Sequence, residues 1–293
     1  MNVWRRKEQR TMSDSNNYKM QLAEKFSKNE IKFLDEKSEF EFACDQCGKC
    51  CRDRDDILLT PLDLFHMVKA TGKDIKDVIS KYGDTYVGDS SHLPIVRLRY
   101  REEPDGGTTC YFLGRKDGKA YCRINDNKPT VCRIYPLGKM VSMKPEDETE
   151  TLDLKPKYFL QDEPDEKCVG LARSHREHVK QVVVDWVGGK EKMQTTDRYS
   201  EIFNAFIVDY SKALKFDDLI KNKPETARVF FPMIALKIYY DYDFGVDDAA
   251  FLRQMKCNLD DVLWLTRLVA DKNPQELLEL IKARKDGETS QSA

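Results

Sequence analysis

Four of the nine cysteines in this chain of 293 residues lie within eight consecutive positions, and no other feature constrains the fold as strongly. The segment reads Cys44-Asp-Gln-Cys47-Gly-Lys-Cys50-Cys51. Packing does not require thiols at this spacing. The turn inside a Cys-x-x-Cys pair, however, lets two sulfurs converge on one metal ion or one iron–sulfur cluster. The other five cysteines are Cys110, Cys122, Cys132, Cys168 and Cys257.

Disulfides and inert core thiols are the competing interpretations. The N-terminal residues are basic but lead into a polar segment without the apolar stretch of a secretory signal. No run of about 18 apolar residues indicates a membrane span. We therefore expect a cytoplasmic protein with no membrane partner, and structural disulfides are rare in the cytosol. The interpretation that remains is metal ligation by eight thiols: Cys44, Cys47, Cys50, Cys51, Cys110, Cys122, Cys132 and Cys168.

The adjacent pair Cys50-Cys51 bears on the number of metal centres. Neighbouring side chains diverge on a strand or a helix, so either a turn brings these two together or they serve different centres. Eight thiols suffice for two four-coordinate centres, and we expect two. Cys44, Cys47 and Cys50 have the spacing of a bacterial ferredoxin run but lack its following Cys-Pro. The spacing therefore leaves an iron–sulfur cluster, zinc ions and iron ions as alternatives.

The second group of cysteines begins in a predicted β-hairpin. The segment 109–124 is rich in strand-forming residues on both sides of the turn signal Lys116-Asp-Gly-Lys119. Such a hairpin would place Cys110 and Cys122 near each other. We expect it to form a small sheet with the strand-like segment 94–100.

Four sequence blocks carry a resemblance to a known family: Phe42-Ala43-Cys44-x-x-Cys47-Gly48-x-Cys50-Cys51, the pair Cys110 and Cys122, Pro129-x-x-Cys132-Arg133-x-Tyr135-Pro136, and Cys168-x-Gly170-Leu171. Together they resemble the YkgJ-type family, which is named for its CxxCxxCC signature and is regarded as a zinc- or iron-chelating domain. The similarity covers roughly residues 40–190. Lys128 stands where the family usually has arginine, and Ala172 to His175 replace a glycine-rich stretch.

The resemblance also implies an enzymatic alternative, because some proteins that share this domain are flagellin lysine N-methylases. Such an enzyme would use SAM and would act on a protein or peptide substrate. None of the 14 glycines, however, forms a glycine-rich loop between a strand and a helix. This argues against a conventional SAM site and leaves a metal- or cluster-dependent reaction open.

Histidines and overall charge add little to the ligand set. His175 and His178 would share one helical face, but two solvated histidines in a basic segment are the favoured interpretation. His66 and His92 are interpreted as incidental. The 49 basic and 51 acidic residues give a net charge of −2, so nothing in the charge indicates a nucleic-acid partner.

The fold class predicted by these patterns is α+β: a small cysteine-rich metal-binding domain with a short sheet, followed by a helical C-terminal extension. We expect an N-terminal arm and helix over 1–35, the metal domain over 36–190, and a helical region with a disordered tail over 191–293. The helices predicted after residue 195 cover 199–214, 227–240, 247–255, 260–270 and 275–285.

Three shorter segments and the ninth cysteine complete these expectations. Thr60-Pro-Leu-Asp63 is a helix start, since threonine suits the N-cap and proline the first turn. We expect a surface loop over 145–164 with a short extended piece at Tyr158-Phe159-Leu160, and a helix over 177–187. Cys257 is interpreted as a buried thiol among core aromatic residues.

These observations lead to three hypotheses of function. The first is a metal- or iron–sulfur-binding protein with a redox or metal-handling role. The second is the protein-modifying enzyme that the family resemblance implies. The third is a structural zinc module that presents the helical region to a protein partner. The sequence does not choose between zinc and iron, because both accept four thiolates.

Overall fold

The computed structural model describes residues 20, 22, 24–28, 30–104, 106–141, 155–161, 168–171, 179–269, 275–276, 278–280 and 282. The strands, numbered in chain order, are Phe33–Leu34 (β1), Glu39–Glu41 (β2), Leu58–Leu59 (β3), Gly83–Val87 (β4), Pro94–Leu98 (β5), Tyr100–Glu102 (β6), Thr108–Cys110 (β7), Leu113–Lys116 (β8), Lys119–Cys122 (β9), Leu137–Val141 (β10), Pro156–Leu160 (β11) and Lys180–Val182 (β12). The helices are Pro61–Thr71 (α1), Ile75–Tyr82 (α2), Thr130–Ile134 (α3), Val183–Trp186 (α4), Lys190–Ala213 (α5), Phe216–Asn222 (α6), Pro224–Tyr239 (α7) and Asp248–Val269 (α8).

The α+β fold class is confirmed, with small separate sheets and a helical C-terminal region. The chain divides into two compact units. The cysteine unit consists of the described parts of Lys7–Thr85 and Ile95–Glu201, and the helical unit consists of Tyr86–Pro94 and the described residues from Ile202 onward. The three-part division at residues 35 and 190 stays a prediction.

A hydrophobic core of the cysteine unit draws on segments far apart in the chain. Trp186 lies at its edge and makes T-shaped ring contacts with Phe40 at 5.9 Å and Phe42 at 5.2 Å. Its indole N–H donates to the carbonyl oxygens of Ile134 and Tyr135, both at 3.2 Å. The buried members of the core are Leu34, Phe40, Phe42, Ile134, Leu137, Tyr158, Cys168, Leu171, Val183, Val187 and Met193.

A three-stranded sheet in the order β1-β11-β10 supplies part of this core. Strand β11 pairs antiparallel with β10, from Leu137 opposite Leu160 to Val141 opposite Pro156. The short extended piece predicted at Tyr158-Phe159-Leu160 is confirmed as part of β11, which begins earlier, at Pro156. Tyr158 and Phe159 are buried and not at the surface, and the rest of the loop predicted over 145–164 lies largely outside the described residues.

The predicted hairpin forms, but the larger sheet around it does not. Strands β8 and β9 pair through the turn at Asp117 and Gly118, whose φ angles of 50° and 76° match a type I′ turn. Strand β7, which carries Cys110, pairs with β6 instead, and β5 lies between β3 and β4. The expectation of a single sheet is wrong because the chain changes partner after each short strand.

The predicted start of α1 is confirmed. Thr60 is the N-cap, and its hydroxyl accepts the backbone N–H of Asp63 at 3.0 Å. The Asp63 carboxylate returns to the backbone N–H of Thr60 at 3.0 Å, which completes a capping box. The following helix α2 begins after its own N-cap, Asp74.

Three predicted helices differ from the structure. Residues 180–186 form the strand β12 and the short helix α4 rather than one helix over 177–187. Residues 248–269 form the single helix α8 rather than two. Its polar midpoint, Asn258, is buried, and the side-chain amide donates to the carbonyl oxygen of Asp241 at 2.7 Å. This tertiary bond removes the cost of a buried amide, which a sequence pattern does not show.

The remaining comparisons concern β1, the last predicted helix and the start of α5. Phe33 and Leu34, predicted at the end of a helix, lie in β1. The last predicted helix falls largely outside the described residues. Helix α5 begins at Lys190, nine residues before the predicted start, directly after Gly188 and Gly189.

The aromatic residues of the helical unit form a core, as predicted. Those that are buried are Phe206, Tyr210, Phe230, Phe231, Tyr239 and Phe251. Cys257, predicted to be buried with them, is exposed on α8 instead. Helical periodicity places it on the outer face, because Met255 and Leu259 carry the buried stripe. Across the described residues, none of the helices is both long and apolar enough for a membrane crossing.

Gly170 offers a test of the close approach between two segments of the cysteine unit. A side-chain carbon at this position would overlap the carbonyl oxygen of Ala43 and would lie 2.9 Å from the ring of Phe42. We expect Gly170→Ala to lower the free energy of unfolding by about 3 kcal/mol, at the upper end of overpacking costs. Urea denaturation followed by circular dichroism measures this change.

Gly72→Ala is the control for this substitution. Gly72 has a φ of +62° and nothing within 4 Å of the added carbon, so only backbone strain of about 1 kcal/mol is expected. An equal loss of stability in both variants would contradict the packing argument.

Candidate metal centre

Backbone hydrogen bonds join the cysteine-rich segment to two remote parts of the chain. At its start, the N–H of Ala43 points to the carbonyl oxygen of Gly170 at 3.5 Å. Further on, the carbonyl oxygen of Gln46 accepts the N–H of Ala120, in β9, at 2.7 Å. The first contact brings the segment of Cys168 alongside, and the second brings the hairpin that ends at Cys122.

A third connection lies just after the cysteines. The N–H of Asp53 donates to the carbonyl oxygen of Thr108 at 3.0 Å, and the Asp53 carboxylate accepts the N–H of Thr108 at 2.7 Å. Arg52 forms an antiparallel bridge with Thr109, the neighbour of Cys110. Strand β7 is thereby tied to the end of the cysteine-rich segment.

The turn over Lys49–Cys51 decides how the adjacent cysteines are arranged. Gly48 precedes this 3-10 turn with a φ of 80°, and a side-chain carbon there would lie 2.9 Å from the Cβ of Ala120. The turn brings the Sγ atoms of Cys50 and Cys51 to 4.0 Å. Two sulfurs bound to one tetrahedral ion at about 2.3 Å would lie about 3.8 Å apart. Of the two alternatives, the structure shows the one in which a turn brings these side chains together, and the argument for two centres loses this support.

All eight cysteines predicted as ligands line one cavity of about 810 Å³ in the cysteine unit. They are Cys44, Cys47, Cys50, Cys51, Cys110, Cys122, Cys132 and Cys168. Cys257, predicted to be a bystander, does not belong to this lining. Sulfur atoms from six separate elements and loops thus face a common space.

The eight residues differ in exposure. Cys110, at the end of β7, and Cys168, beside the turn over Val169–Leu171, are buried. Cys122 and Cys132 are half-buried. The first three cysteines of the CxxCxxCC segment are exposed, and Cys51 is half-buried. The described residues contain no cluster of three or more His, Cys, Asp or Glu side chains in an arrangement that could hold a metal ion.

Desolvation raises the pKa of several of the cavity thiols. Burial raises the pKa of Cys110 to about 11 from an ordinary value of 9.0, and it also raises the pKa of Cys132. Burial likewise raises the pKa of Cys44 and of Cys122. For Cys50 the hydrogen bond with the thiol of Cys51 is the main cause of a raised pKa, followed by burial.

Two cations and one phenol oppose this effect. The positive charge of Lys128 lowers the pKa of Cys44, Cys50 and Cys122, although burial outweighs it. Arg54 acts in the same direction on Cys50. A hydrogen bond from Tyr135 to the sulfur of Cys168 favours its thiolate, and hydrogen bonds to sulfur are one of the means by which proteins tune thiolate centres.

A second part of the cavity wall is polar and carries no thiol. The Lys139 ammonium group lies 2.8 Å from the Asp197 carboxylate and donates to the carbonyl oxygen of Thr196 at 2.9 Å. Tyr158 donates to the same carboxylate at 2.8 Å. Burial lowers the pKa of Lys139, and Gln161 also lines the cavity. Sequence reasoning missed these residues, since no motif joins positions 139, 161 and 197.

The histidines do not supplement the ligand set in the described structure. His66 lies on α1, as predicted, and His92 stacks on the ring of Phe216 at 3.6 Å in the helical unit. Neither lines the cavity. His175 and His178 lie outside the described residues.

Residues 43–156 match the model of a known family, described as "CxxCxxCC: Putative zinc- or iron-chelating domain". The family resemblance found in the sequence is therefore confirmed for this part of the chain. The matched region includes seven of the eight cavity cysteines, and Cys168 lies beyond it. No curated protein and no solved structure matches the chain.

The raised thiol pKa values predict how the stability of the metal-free protein depends on pH. Because Cys110 keeps its proton up to a pKa of about 11, whereas an unfolded thiol loses it near 9.0, the unfolded state binds fewer protons between these values. The free energy of unfolding must then fall as the pH rises from about 8 to 11. Urea denaturation at several pH values, in the presence of a chelator and a reductant, measures the slope.

Cys110→Ser is the matched variant, because it removes one titrating thiol and leaves the tyrosines and lysines in place. Its stability should fall less steeply with pH than that of the wild-type protein. Identical slopes would show that Cys110 ionises in the folded state as readily as in the unfolded state.

Proposed function

We propose that this protein chelates zinc or iron with thiolates in the cavity of the cysteine unit. The observation that carries the proposal is the meeting of eight thiols, from remote parts of the chain, at one cavity. Thiolates are the ligands preferred by zinc, by iron–sulfur clusters and by other soft centres. The family match supports the same class of ligand.

The donors present fit such a centre. The Sγ atoms of Cys50 and Cys51 are 4.0 Å apart, so the adjacent pair can serve one ion without a change of backbone. The remaining ligands would come from the other cavity cysteines, whose side chains would have to move, because the described residues hold no group of three or more ligands already in place. Lys128 and Arg54 offset the negative charge of the thiolates. A bound zinc ion would act as a structural crosslink or a Lewis acid, and an iron–sulfur cluster would supply electron transfer.

Further parts of the proposal are the cytoplasmic location and the extent of the domain. A reducing compartment keeps thiols available for metal, and all nine cysteines are free. We assign residues 36–190 to the metal-binding domain, because the cavity cysteines all fall within it.

Metal content tests this function directly. We expect at least one zinc or iron per chain after anaerobic purification, measured by elemental analysis. Absorption in the visible range would identify an iron–sulfur cluster, since zinc does not absorb there. Metal-free protein that unfolds cooperatively and is unaffected by chelators would refute the proposal.

Two cysteine variants sharpen the same test, because Cys47 and Cys257 are both exposed and differ in position. Cys47→Ser should lower the metal content and the stability, since Cys47 lines the cavity. Cys257→Ser should leave both unchanged. Equal loss in the two variants would mean that the metal is bound elsewhere or nonspecifically.

A second candidate function is an enzyme that modifies a protein or peptide beside the metal, and the size of the cavity favours it. About 810 Å³ exceeds what metal ions need and falls within the range of about 300–1,000 Å³ for organic ligands. The polar wall at Lys139 and Gln161 offers hydrogen-bonding groups to such a ligand. The family resemblance suggests lysine methylation with SAM as the methyl donor.

Incubation of metal-loaded protein with SAM and a lysine-containing flagellin peptide tests this candidate. Mass spectrometry should detect methyl transfer to a lysine amine and the release of S-adenosylhomocysteine. Lys139→Met should reduce turnover while the metal content stays constant. If the metal-loaded wild-type protein gives no methylated peptide, this second function is excluded for that substrate pair.

A further inference from the structure

The buried carboxylate of Asp63 accepts hydrogen bonds from two different parts of the chain. It is 1 % exposed, and one of its oxygens, Oδ2, completes the capping box of α1 by accepting the N–H of Thr60 at 3.0 Å. A capping box needs nothing more from this side chain. The other oxygen, Oδ1, is directed to a different part of the chain.

Oδ1 of Asp63 accepts two hydrogen bonds from Thr130, the first residue of α3. The backbone N–H of Thr130 lies at 2.7 Å and its hydroxyl at 2.8 Å. Hydrogen bonds to an ionised carboxylate are stronger than those between neutral groups, and burial strengthens them further. One carboxylate thus joins the first turns of two helices that are 67 positions apart in sequence.

The helix that Asp63 holds carries a cavity cysteine. Helix α3 has only five residues, Thr130–Ile134, and Cys132 is in its middle. A helix this short does not hold its own conformation, because helix nucleation is costly and few bonds follow it. No side chain of its own caps α3, since Pro129 stands at its N-cap. The direction in which Cys132 points must therefore depend on contacts from outside the helix.

Asp63 is also close to the thiol that this helix presents. Burial is the main cause of the raised pKa of Cys132, and the negative charge of Asp63 is among the further causes. Both residues line the cavity. Asp63 fixes the position of α3 through the hydrogen bonds that it accepts from Thr130, and not through this charge.

We propose that Asp63 is a positioning residue of the metal centre, which holds Thr130 and through it the short helix that presents Cys132 as a ligand. This inference rests on the proposed function, because it assigns a role relative to the chelated metal. It adds a residue that belongs to no cysteine motif. Asp63 itself does not contact the metal in this proposal.

Substitutions at Thr130 isolate the link to α3, because the capping box of α1 does not use Thr130. Thr130→Val removes the hydroxyl donor, and Thr130→Ser keeps it. We expect metal affinity to fall about 10-fold or more in Thr130→Val and Asp63→Asn, as is typical when groups that orient metal ligands are lost. Thr130→Ser should bind as the wild-type protein does. Competition of the full-length protein with a zinc chelator measures these affinities.

Asp74→Asn is the matched control for Asp63→Asn. Asp74 is the N-cap of the next helix, and its carboxylate accepts the N–H of Lys76 at 2.8 Å. Its loss weakens a helix start in the same way but reaches no cysteine. Metal affinity in this variant should remain that of the wild-type protein.

A double-mutant cycle separates positioning from general destabilisation. If Asp63 acts through Cys132, Asp63→Asn should not weaken zinc binding further once Cys132 is replaced by serine. The visible spectrum of the cobalt-loaded protein adds a second readout, because thiolate-to-cobalt absorption per ion should fall alike in Thr130→Val and Cys132→Ser.

The outcomes are distinct. Wild-type affinity in Thr130→Val would overturn the inference while the proposed function stands, and so would additive losses in the cycle. A wild-type protein that binds no metal would overturn both. If Asp63→Asn does not fold, Thr130→Val and the cycle of Thr130→Val with Cys132→Ser decide the question.

Discussion

The hydrogen bonds that the cysteine-rich segment makes with remote backbone are the constraint on which the site depends. Thiols do not attract one another, so another interaction must gather them before any metal binds. The carbonyl oxygen of Gln46 accepts a hydrogen bond from the backbone N–H of Ala120, and Asp53 and Thr108 form two hydrogen bonds with each other. Each of these hydrogen bonds places a segment that contains a further cysteine beside the cavity. A preformed arrangement of this kind reduces the ordering cost that metal binding otherwise has to offset.

The hydrophobic core of the cysteine unit stabilises the same arrangement of backbone segments. Phe42 stands two residues before Cys44 and contacts Trp186, whose indole N–H holds the backbone at the end of α3. Cys168 is itself a member of that core. The residues that pack around Trp186 and the cysteines of the cavity therefore lie on the same backbone segments. A substitution in one of these two groups should change the geometry of the other.

The cysteines that line the cavity could be predicted as a group from the sequence, whereas their arrangement could not. The spacing of Cys44 to Cys51 indicates ligation because thiolate chemistry needs that spacing. The close approach of the Sγ atoms of Cys50 and Cys51 depends on the left-handed conformation of Gly48, which the spacing of the cysteines does not reveal. The extended piece at Tyr158-Phe159-Leu160 could be predicted from its own residues, whereas its pairing with β10 could not. Local signals succeeded at the capping box of α1, where all partners are neighbours in sequence.

Proton release connects the energetics of the cavity with its chemistry. Burial raises the pKa of Cys110 and Cys132, so at neutral pH the metal-free cavity contains neutral thiols and avoids the cost of several buried negative charges. A metal ion must displace those protons, and its affinity must therefore rise with pH. The cations Lys128 and Arg54 lower this cost at the entrance formed by the exposed cysteines. In the proposed centre, the metal ion itself would compensate the negative charge of the deeper thiolates.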